Sequence, residues 1–397
     1  MNTNRRDFLS MAAAAGGAVV LPGIARAQSP GVTATEIRIG NTTPLSGPAA
    51  AWSSGAIVFK NYLQMINDRG GINGRKLAVL QMDDGYSPPK TVEVTRKLVE
   101  QDEVLLMAAT TGTPTSISVR AYLNQKKVPQ LFVGSGAASW ADDIQKFPWS
   151  LGFQPLFSDE GRETALYVLK QKPGAKLSIC YQNDDAGKDY LRGLKAGLNA
   201  AGALKQLVNE STHEVSDPTV DSQVISAQAS GADVFMLFGS PKATAQGIRK
   251  AGEIGWKPQI FVNGNATSVK SVMEPAGLDR AKGVMAAAFM KDPNDPRWAD
   301  DKGMLEWKGF MDKYSPAQAR DNLATYGTLS AQLLVQVLTQ CGNDLSRENV
   351  IRQTASLDMD LPLLLPGLRV KTSATERHPL RGVRFQQFDG AGWKVLL

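Results

Sequence analysis

The chain has 397 residues, 43% of them hydrophobic and 21% charged, with a formal net charge of +6. This is ordinary globular composition, but the length exceeds that of a typical single domain. Lysine and arginine are dispersed without runs, which argues against nucleic-acid binding. Cys180, Cys341, His213 and His378 stand far apart in the sequence, so a zinc site is not indicated and two buried thiols are expected.

The first 27 residues have the pattern of an export leader. Residues 4–10 read Asn-Arg-Arg-Asp-Phe-Leu-Ser, residues 11–20 are apolar and small, and residues 25–27, Ala-Arg-Ala, have the small-x-small form of a cleavage site. The paired arginines resemble a twin-arginine signal, so cleavage after Ala27 is predicted. The apolar run is shorter than the roughly 20 residues that a spanning helix needs. We therefore expect an exported, periplasmic protein that does not itself span a membrane.

Strands and helices alternate through the next part of the chain. An alternating segment at residues 36–42 ends in the turn at 44–48, and glycines at 70–74 close the helix that follows. The predicted strands are 36–42, 77–82, 104–108 and 130–133, and the predicted helices are 51–68, 89–100 and 115–126. Strict alternation of this kind calls for a parallel sheet with helices on both faces.

The third of these strands ends in a turn rich in hydroxyl groups, residues 110–113 (Thr-Thr-Gly-Thr). We expect Thr113 to cap the following helix and Pro114 to occupy its first turn. Free backbone N–H groups, the positive end of the helix dipole and the hydroxyls of Thr110, Thr111 and Thr113 would then converge on one point, which suits a carboxylate. An ordinary capped helix has the same pattern, so the turn alone leaves both interpretations open.

Residues 148–155 interrupt the alternation, which then resumes. The predicted helices are 159–172, 188–201, 220–230 and 243–254, and the predicted strands are 176–181, 204–209, 234–238 and 259–262. A later strand at 283–289 precedes helices at 303–314, 324–341 and 347–354, which are consistent with a return to the first lobe, and a hairpin at 384–388 and 393–396. The chain thus predicts two similar α/β lobes whose ligand-binding loops follow the parallel strands and face one cleft.

Several motifs follow one another in a recognisable order. They are the export leader, the turn at 44–48, residues 70–75 (Gly-Gly-Ile-Asn-Gly-Arg) before a strand ending in Asp83 and Asp84, the threonine-rich turn, residues 182–185 (Gln-Asn-Asp-Asp) with Gly187, and a late Leu-Pro-Gly at 365–367. Together they resemble the branched-chain-amino-acid-binding family, the type I periplasmic solute-binding proteins of ABC transporters.

The resemblance implies an α/β fold of two Rossmann-like lobes with parallel sheets, joined by three crossover segments. Lobe 1 would comprise residues 28–152 and 288–360, and lobe 2 would comprise residues 153–287 and 361–397. Proteins of this kind close on a small solute and deliver it to a membrane permease. No cofactor, metal or catalytic residue is implied, and we expect a monomer.

The resemblance also implies a set of ligand-binding positions. The family's carboxylate-binding turn falls on residues 111–113 and its second ligand-holding turn on residues 135–137. Where amino-acid binders place an acidic residue for the ammonium, this chain has Asn265, and burying an ammonium without a counter-charge is costly. Ala186 and Ser240 replace larger aromatic residues and leave space. The family's aromatic position after the first turn falls on Trp52. The candidate ligand-binding residues are therefore Trp52, Thr111, Gly112, Thr113, Ser135, Gly136, Ala137, Ala186, Ser240 and Asn265.

These departures favour a carboxylate without an α-ammonium that is larger than leucine. An aromatic or phenylpropanoid acid is the favoured solute, because members with the Leu-Pro-Gly tail and an aromatic residue near Trp52 resemble aromatic-acid binders, whose ring could stack on that indole. Two alternatives stay open: a binding protein for branched-chain or other amino acids or amides, and a ligand sensor for a signalling partner. Enzyme activity is not expected, since Gly-x-Ser-x-Gly is absent and nothing places a histidine beside Ser135.

Overall fold

The computed structural model describes residues 29–396, so the predicted leader at residues 1–27 lies outside the described range. The strands are β1 (Glu36–Thr43), β2 (Lys76–Asp83), β3 (Leu106–Ala108), β4 (Gln130–Val133), β5 (Ser150–Gly152), β6 (Leu177–Gln182), β7 (Leu207–His213), β8 (Val234–Phe238), β9 (Gln259–Val262), β10 (Met285–Ala288), β11 (Asp358–Met359), β12 (Val370–Lys371), β13 (Arg384–Phe388) and β14 (Trp393–Leu396). The helices are α1 (Ser53–Asp68), α2 (Pro88–Glu100), α3 (Thr113–Gln125), α4 (Ser139–Asp142), α5 (Phe157–Gln171), α6 (Asp185–Ala200), α7 (Asp221–Ala229), α8 (Pro241–Glu253), α9 (Glu274–Ala276), α10 (Leu278–Ala281), α11 (Lys302–Tyr314), α12 (Asn322–Cys341) and α13 (Arg347–Thr354).

Two sheets form the framework of the two lobes. The first has five strands in the order β2-β1-β3-β4-β5, and every neighbouring pair is parallel. The second has seven strands in the order β14-β13-β10-β9-β8-β6-β7. It is parallel except at one edge, where β13 pairs antiparallel with both β10 and β14. The predicted α/β fold with two parallel-sheet lobes is therefore confirmed, and so is the terminal hairpin.

The central strands are short and apolar because helices cover both faces of each sheet. β3, β4 and β8 are buried at every residue, and strands in such positions need continuous apolar side chains. Most predicted elements are present, with ends shifted by a few residues. The strand expected from residue 204 begins at Leu207, because Leu204–Gln206 forms a single 3-10 turn.

The chain passes between the lobes three times: after β5, after β10 and before β13. After the second crossing, α11, α12 and α13 return to the first lobe, where Trp307, Leu334 and Val350 share its apolar core. This agrees with the return that the sequence pattern predicted.

Residues 361–380 depart from the sequence-based division of the chain, which put 361–397 in lobe 2. Leu361, Leu368 and Leu380 are buried in the core of the first lobe. The reason is backbone pairing with the second crossover: the Lys291 N–H donates to the Leu363 carbonyl at 2.9 Å, and the Leu365 N–H donates to the Phe289 carbonyl at 3.0 Å. Only β13 and β14 join the second sheet.

Helices α5 and α6 lie in backbone contact within the second lobe. A Cβ atom at Gly161 would come 2.2 Å from the Tyr190 carbonyl oxygen, and one at Gly193 would come 1.9 Å from the Ser158 carbonyl oxygen. Glycine is therefore required at both positions for this close approach. The contact also holds Glu160 beside Tyr190, whose hydroxyl donates to the Glu160 carboxylate at 3.3 Å.

Gly193→Ala should destabilise the protein, because the added methyl group would force α5 and α6 apart. We expect the free energy of unfolding to fall by about 1–3 kcal/mol. Gly309→Ala in α11 is the matched control, because no neighbouring atom lies within 4 Å of its Cβ position. Alanine is a better helix former than glycine, so this variant should raise the free energy of unfolding by up to about 1 kcal/mol. Urea unfolding of both variants measures the difference, and equal stabilities would contradict the close contact.

Candidate ligand-binding site

The carboxyl ends of the parallel strands in both lobes face one cleft. Its aromatic lining consists of Trp52, Tyr86, Phe157, Tyr190, Phe238 and Tyr326. Its polar lining consists of Thr111, Thr113, Gln154, Gln182, Asn263, Asn265, Asn322 and Ser330. Among residues 29–396, no Asp, Glu, Lys, Arg or His belongs to the lining. The cavity has a volume of about 80 Å³, several times the roughly 10–15 Å³ that one water molecule needs.

The two lobes are closed on each other across this cleft. The Gln182 amide donates to the Tyr86 hydroxyl at 3.4 Å, and the Asn322 amide donates to the Gly264 carbonyl at 3.3 Å. Each bond joins a residue of one lobe to a residue of the other. The lining described above is therefore that of the closed form.

Helix α3 begins at the cleft with no side-chain cap in the described structure. Gly112 is the N-cap residue, with φ 101°, and a Cβ atom there would lie 2.4 Å from the Tyr86 ring, so only glycine fits. The prediction that Thr113 caps this helix is wrong, because Thr113 is its first residue and its hydroxyl faces Ser135 instead. The positive end of the helix dipole thus remains directed at the cleft.

A pair of hydroxyl groups beside α3 leaves one proton available to a ligand. The Ala137 N–H donates to Ser135 Oγ at 3.2 Å, and Ser135 Oγ lies 2.7 Å from Thr113 Oγ1. Because Ser135 accepts from the backbone, its own proton can go to Thr113, and the Thr113 proton is then free for another acceptor. A carboxylate oxygen in the cleft suits that position.

The other threonines of the turn have different surroundings. Thr111 lines the cleft, and its hydroxyl lies 3.0 Å from that of Thr43. Thr110 is buried inside the lobe, 3.0 Å from the Ser116 hydroxyl. The three hydroxyls therefore do not converge on one point as predicted, because Thr110 points into the lobe toward Ser116.

The predicted second turn, Ser135, Gly136 and Ala137, lies behind the lining and outside it. A Cβ atom at Gly136 would come 2.2 Å from the Pro155 carbonyl oxygen, and Ala137 packs in a small apolar cluster with Trp140. These contacts occupy the side that the ligand was expected to reach. Ser135 acts on the cleft only through Thr113.

Ser240 also lies outside the lining. It is buried at the N-cap of α8, where its hydroxyl accepts from the Ala243 N–H at 3.3 Å. The neighbouring Phe238 and Gly239 line the cleft instead. The hydroxyl that the sequence analysis assigned to the ligand is thus used to satisfy a helix end.

Trp52 lies in the lining as predicted, at the end of a 3-10 turn that precedes α1. Its ring centroid is 5.2 Å from that of Tyr86, with an interplanar angle of 42°. The indole N–H donates to the Asn265 carbonyl of the opposite lobe at 3.4 Å. Trp52 therefore contributes both an aromatic wall and a contact that forms on closure.

Tyr86 is a lining residue that the sequence analysis missed. It has φ 60°, and the buried Asp84 carboxylate accepts its backbone N–H at 2.9 Å. Burial raises the pKa of the Tyr86 hydroxyl above its usual value, and Asp184 adds to this, although Gln182 and the Thr113 N–H act in the other direction. Because the phenol oxygen accepts from the Gln182 amide, its own proton can be donated to a ligand.

The second lobe contributes the start of α6 and the loop after β9. Ala186 lines the cleft, as predicted, beside Gln182. Asp184, the N-cap of α6, accepts from the Gly187 N–H at 3.0 Å, and burial raises its pKa. Asn265 also lines the cleft as predicted, and its amide donates to Gln154 at 3.1 Å. The lobe thus offers amide and aromatic groups to the cleft and keeps its carboxylates behind them.

Glu160 is a buried carboxylate one hydrogen bond behind this wall. It accepts from the Gly264 N–H at 2.8 Å and from the Tyr190 hydroxyl. Burial raises its pKa to about 7, against the two hydrogen bonds, which lower it. Tyr190 lines the cleft and Glu160 does not.

Several lining residues carried no recognised motif: Tyr86, Gln154, Gln182, Tyr190, Asn263 and Tyr326. Tyr86, Gln182 and Asn263 end or closely follow β2, β6 and β9. The rule that ligands lie at the carboxyl ends of parallel strands could therefore have found these three. Gln154 lies on a crossover, and Tyr326 is on a helix far along the chain, so only the tertiary structure brings them in.

Other features of the described residues bear on the function. No helix within 29–396 is long and apolar enough to cross a membrane, and no group of three or more metal-binding side chains occurs there. Cys180 and Cys341 are both buried free thiols, as expected, one in the second lobe and one in the first.

Comparison with known proteins agrees with this architecture. The model of the periplasmic binding protein family matches residues 36–392. The leucine-specific-binding protein of Salmonella typhimurium is 23% identical over 338 residues, which cover 81% of this chain and 88% of that protein.

Two solved structures show the same fold. A fatty acid ABC transporter substrate-binding protein from Thermomonospora curvata superposes with a TM-score of 0.80 at 22% identity, and the match covers 93% of each chain. An ABC transporter solute-binding protein from R. palustris in complex with benzoate superposes with a TM-score of 0.77 at 18% identity, covering 91% of this chain and 95% of that one. The family match spans nearly all the described residues, so the chain belongs to the periplasmic binding protein family, as a solute-binding protein of the ABC-transporter type.

Proposed function

We propose that this protein captures a small carboxylate without an α-ammonium group, in particular an aromatic or phenylpropanoid acid, and delivers it to the membrane permease of an ABC transporter. The observation that carries the proposal is a neutral cleft with aromatic residues from both lobes, beside a helix N-terminus that no side chain caps. Such a cleft supplies dipoles for an anion and flat apolar surfaces for a ring, but no counter-charge for a cation.

We place the carboxylate group of the solute in the part of the cleft beside the N-terminus of α3. The Thr113 hydroxyl can donate to a ligand when Ser135 donates to Thr113, and the Tyr86 hydroxyl accepts from Gln182 and can donate its own proton. Both residues line the cleft beside the α3 N-terminus. Hydrogen bonds to a charged acceptor are roughly twice as strong as neutral ones. Two hydroxyl donors and a helix dipole can therefore hold a carboxylate without an arginine or lysine.

We place the ring of the solute between the aromatic side chains of the two lobes. Trp52 and Tyr86 stand on the first lobe, and Tyr190 and Phe238 stand on the second. A ring that touches both lobes shifts the open–closed equilibrium by its extra affinity for the closed form. The benzoate complex of a protein with the same fold supports a solute of this kind.

A second candidate is an amino acid or amide. Two buried carboxylates, Glu160 and Asp184, lie directly behind Tyr190 and Gln182, and the similar Salmonella protein is named for leucine binding. An ammonium group would, however, meet the neutral Asn265 at the cleft surface. We therefore place this candidate second.

Calorimetric titration should separate the two candidates. We expect benzoate and coumarate to bind the purified protein, and leucine and urea to give no heat. Leucine would have to bury a cationic ammonium group and urea a wholly polar surface, whereas the two aromatic acids have neither cost. Native mass spectrometry of protein purified from cells fed mixed aromatic acids would identify the bound solute directly. Tight leucine binding without a response to either aromatic acid would reject the proposal.

Thr113→Ala should weaken aromatic-acid binding by about 1–3 kcal/mol, the loss expected for a hydrogen bond to a charged group. Thr113→Ser keeps the hydroxyl and should retain most of the affinity. Thr339→Ala, an exposed position on α12, is the matched control. If Thr113→Ala bound benzoate as tightly as the wild type, the carboxylate would have to lie elsewhere.

Export through a twin-arginine leader is a separate proposal, supported by the sequence of residues 1–27. Replacing Arg5→Lys and Arg6→Lys together should leave unprocessed protein in the cytoplasm, since the arginine pair is the recognised feature. Cell fractionation and N-terminal sequencing measure this, and a mature chain starting at Gln28 is expected for the wild type. Normal export of the double variant would contradict a twin-arginine route.

A further inference from the structure

A chain of hydrogen bonds connects the start of α6 in the second lobe to Tyr86 in the first. Gln182, the last residue of β6, lines the cleft and is only 5% exposed. Its side-chain amide nitrogen donates to the Asp184 carboxylate and to the Tyr86 hydroxyl, the latter at 3.4 Å. Asp184 lies behind the cleft lining and not in it, so Gln182 connects this carboxylate to the cleft surface.

Asp184 fixes the direction of this chain. It is the N-cap residue of α6, a position that favours a negative charge, and its Oδ1 atom accepts from the Gly187 N–H at 3.0 Å. An ionised carboxylate only accepts hydrogen bonds, so the nitrogen of the Gln182 amide, and not its oxygen, has to face Asp184. The second proton of that nitrogen goes to Tyr86. The Tyr86 oxygen therefore accepts from the protein, and its own proton is left for the solute.

The opposite direction would give the cleft the opposite preference. With the Gln182 amide turned over, its oxygen would accept the Tyr86 proton, and Tyr86 would present only lone pairs to the solute. Lone pairs suit an ammonium or amide donor, whereas a hydroxyl proton suits a carboxylate. The direction of these two hydrogen bonds thus distinguishes a site for an anion from a site for a hydrogen-bond donor.

We propose that Asp184 is a positioning residue that makes the cleft selective for anions, because it holds Gln182 so that Tyr86 donates its proton to the solute. The inference rests on the proposed function and adds to it a residue that does not contact the solute. Since the bond between Gln182 and Tyr86 joins the two lobes, the Tyr86 proton is oriented when the cleft closes. The effect has an unusual sign: charge repulsion alone would make a carboxylate near the cleft weaken anion binding, whereas here the carboxylate strengthens it.

Asp184→Asn tests the proposal, because it reverses the chain and keeps the helix cap. Asparagine caps helices as well as aspartate does, so its amide oxygen should stay on the Gly187 N–H and its amide nitrogen should face Gln182. The Gln182 amide then has to turn its oxygen toward both neighbours, and Tyr86 donates to that oxygen. We expect benzoate, titrated by calorimetry at neutral pH, to bind about 10–100-fold more weakly, the loss expected for a hydrogen bond to a charged group.

Asp185→Asn is the matched control. Asp185 is the exposed first residue of α6, so the substitution removes the same charge from the same helix end and leaves Asp184 in place. The affinity for benzoate should stay within about twofold of the wild type, because exposed charges are well screened. Asp184→Ser, which keeps a capping oxygen but leaves Gln182 without its acceptor, is the second variant if the asparagine protein does not fold, and it should also weaken binding.

Double-mutant cycles separate positioning from a purely structural role. In a Gln182→Leu background, Asp184→Asn should change the affinity for benzoate by less than about twofold, because the connection to Tyr86 is already broken. The same result is expected in a Tyr86→Phe background, where no hydroxyl proton remains to be oriented. A structural effect of Asp184 on α6 would instead lower the affinity by the same factor in all three backgrounds.

The outcomes also distinguish this inference from the proposed function. If the wild type binds benzoate and Asp184→Asn binds it equally or more tightly, the positioning role is wrong while the proposed function stands. The same conclusion follows if the loss persists in full without Gln182 or without the Tyr86 hydroxyl. If the wild type binds neither benzoate nor coumarate, the proposed function and the positioning role fail together.

Discussion

No charged side chain lines the described cleft, so the carboxylate proposed as its solute would have to be stabilised by dipoles. The α3 N-terminus supplies the dipole, and the N-cap residue Gly112 lets the Tyr86 ring pack at a distance that excludes any Cβ. The hydroxyl groups of Thr113 and Tyr86 lie beside this helix end and can donate hydrogen bonds at the cleft surface. In the proposed function, selectivity for an anion would depend on hydrogen-bond direction more than on net charge.

The second lobe supports this arrangement through close helix packing. Gly161 and Gly193 let α5 and α6 touch through their backbones, and this contact sets Glu160 behind Tyr190. The carboxylate accepts from Tyr190 and from the Gly264 N–H, so this part of the cleft wall is held by a buried network. Stability of the lobe and shape of the cleft are therefore linked, because the same helix pair serves both.

Sequence reasoning located some of the cleft and misplaced other parts of it. Trp52, Thr111, Gly112, Thr113, Ala186 and Asn265 all line the cavity. Ser135 and Ser240 do not, because their hydroxyls are used by the backbone of the protein itself. A serine in a turn after a strand has the same sequence pattern whether it contacts a ligand or accepts a hydrogen bond from the backbone. Its orientation could therefore not be read from the pattern. Tyr86 was missed although it follows β2, where the rule that ligands lie at the carboxyl ends of parallel strands could have found it.

The sequence by itself determined the order of strands and helices, the two parallel sheets and the position of the cleft at their carboxyl ends, since these follow from periodicity and from the geometry of parallel strands. The tertiary structure decided which side chains face that cleft. It also decided that residues 361–380 pack in the first lobe. Both outcomes depend on contacts between segments far apart in the chain, such as Leu363 with Lys291 and Asn322 with Gly264, which local patterns do not encode.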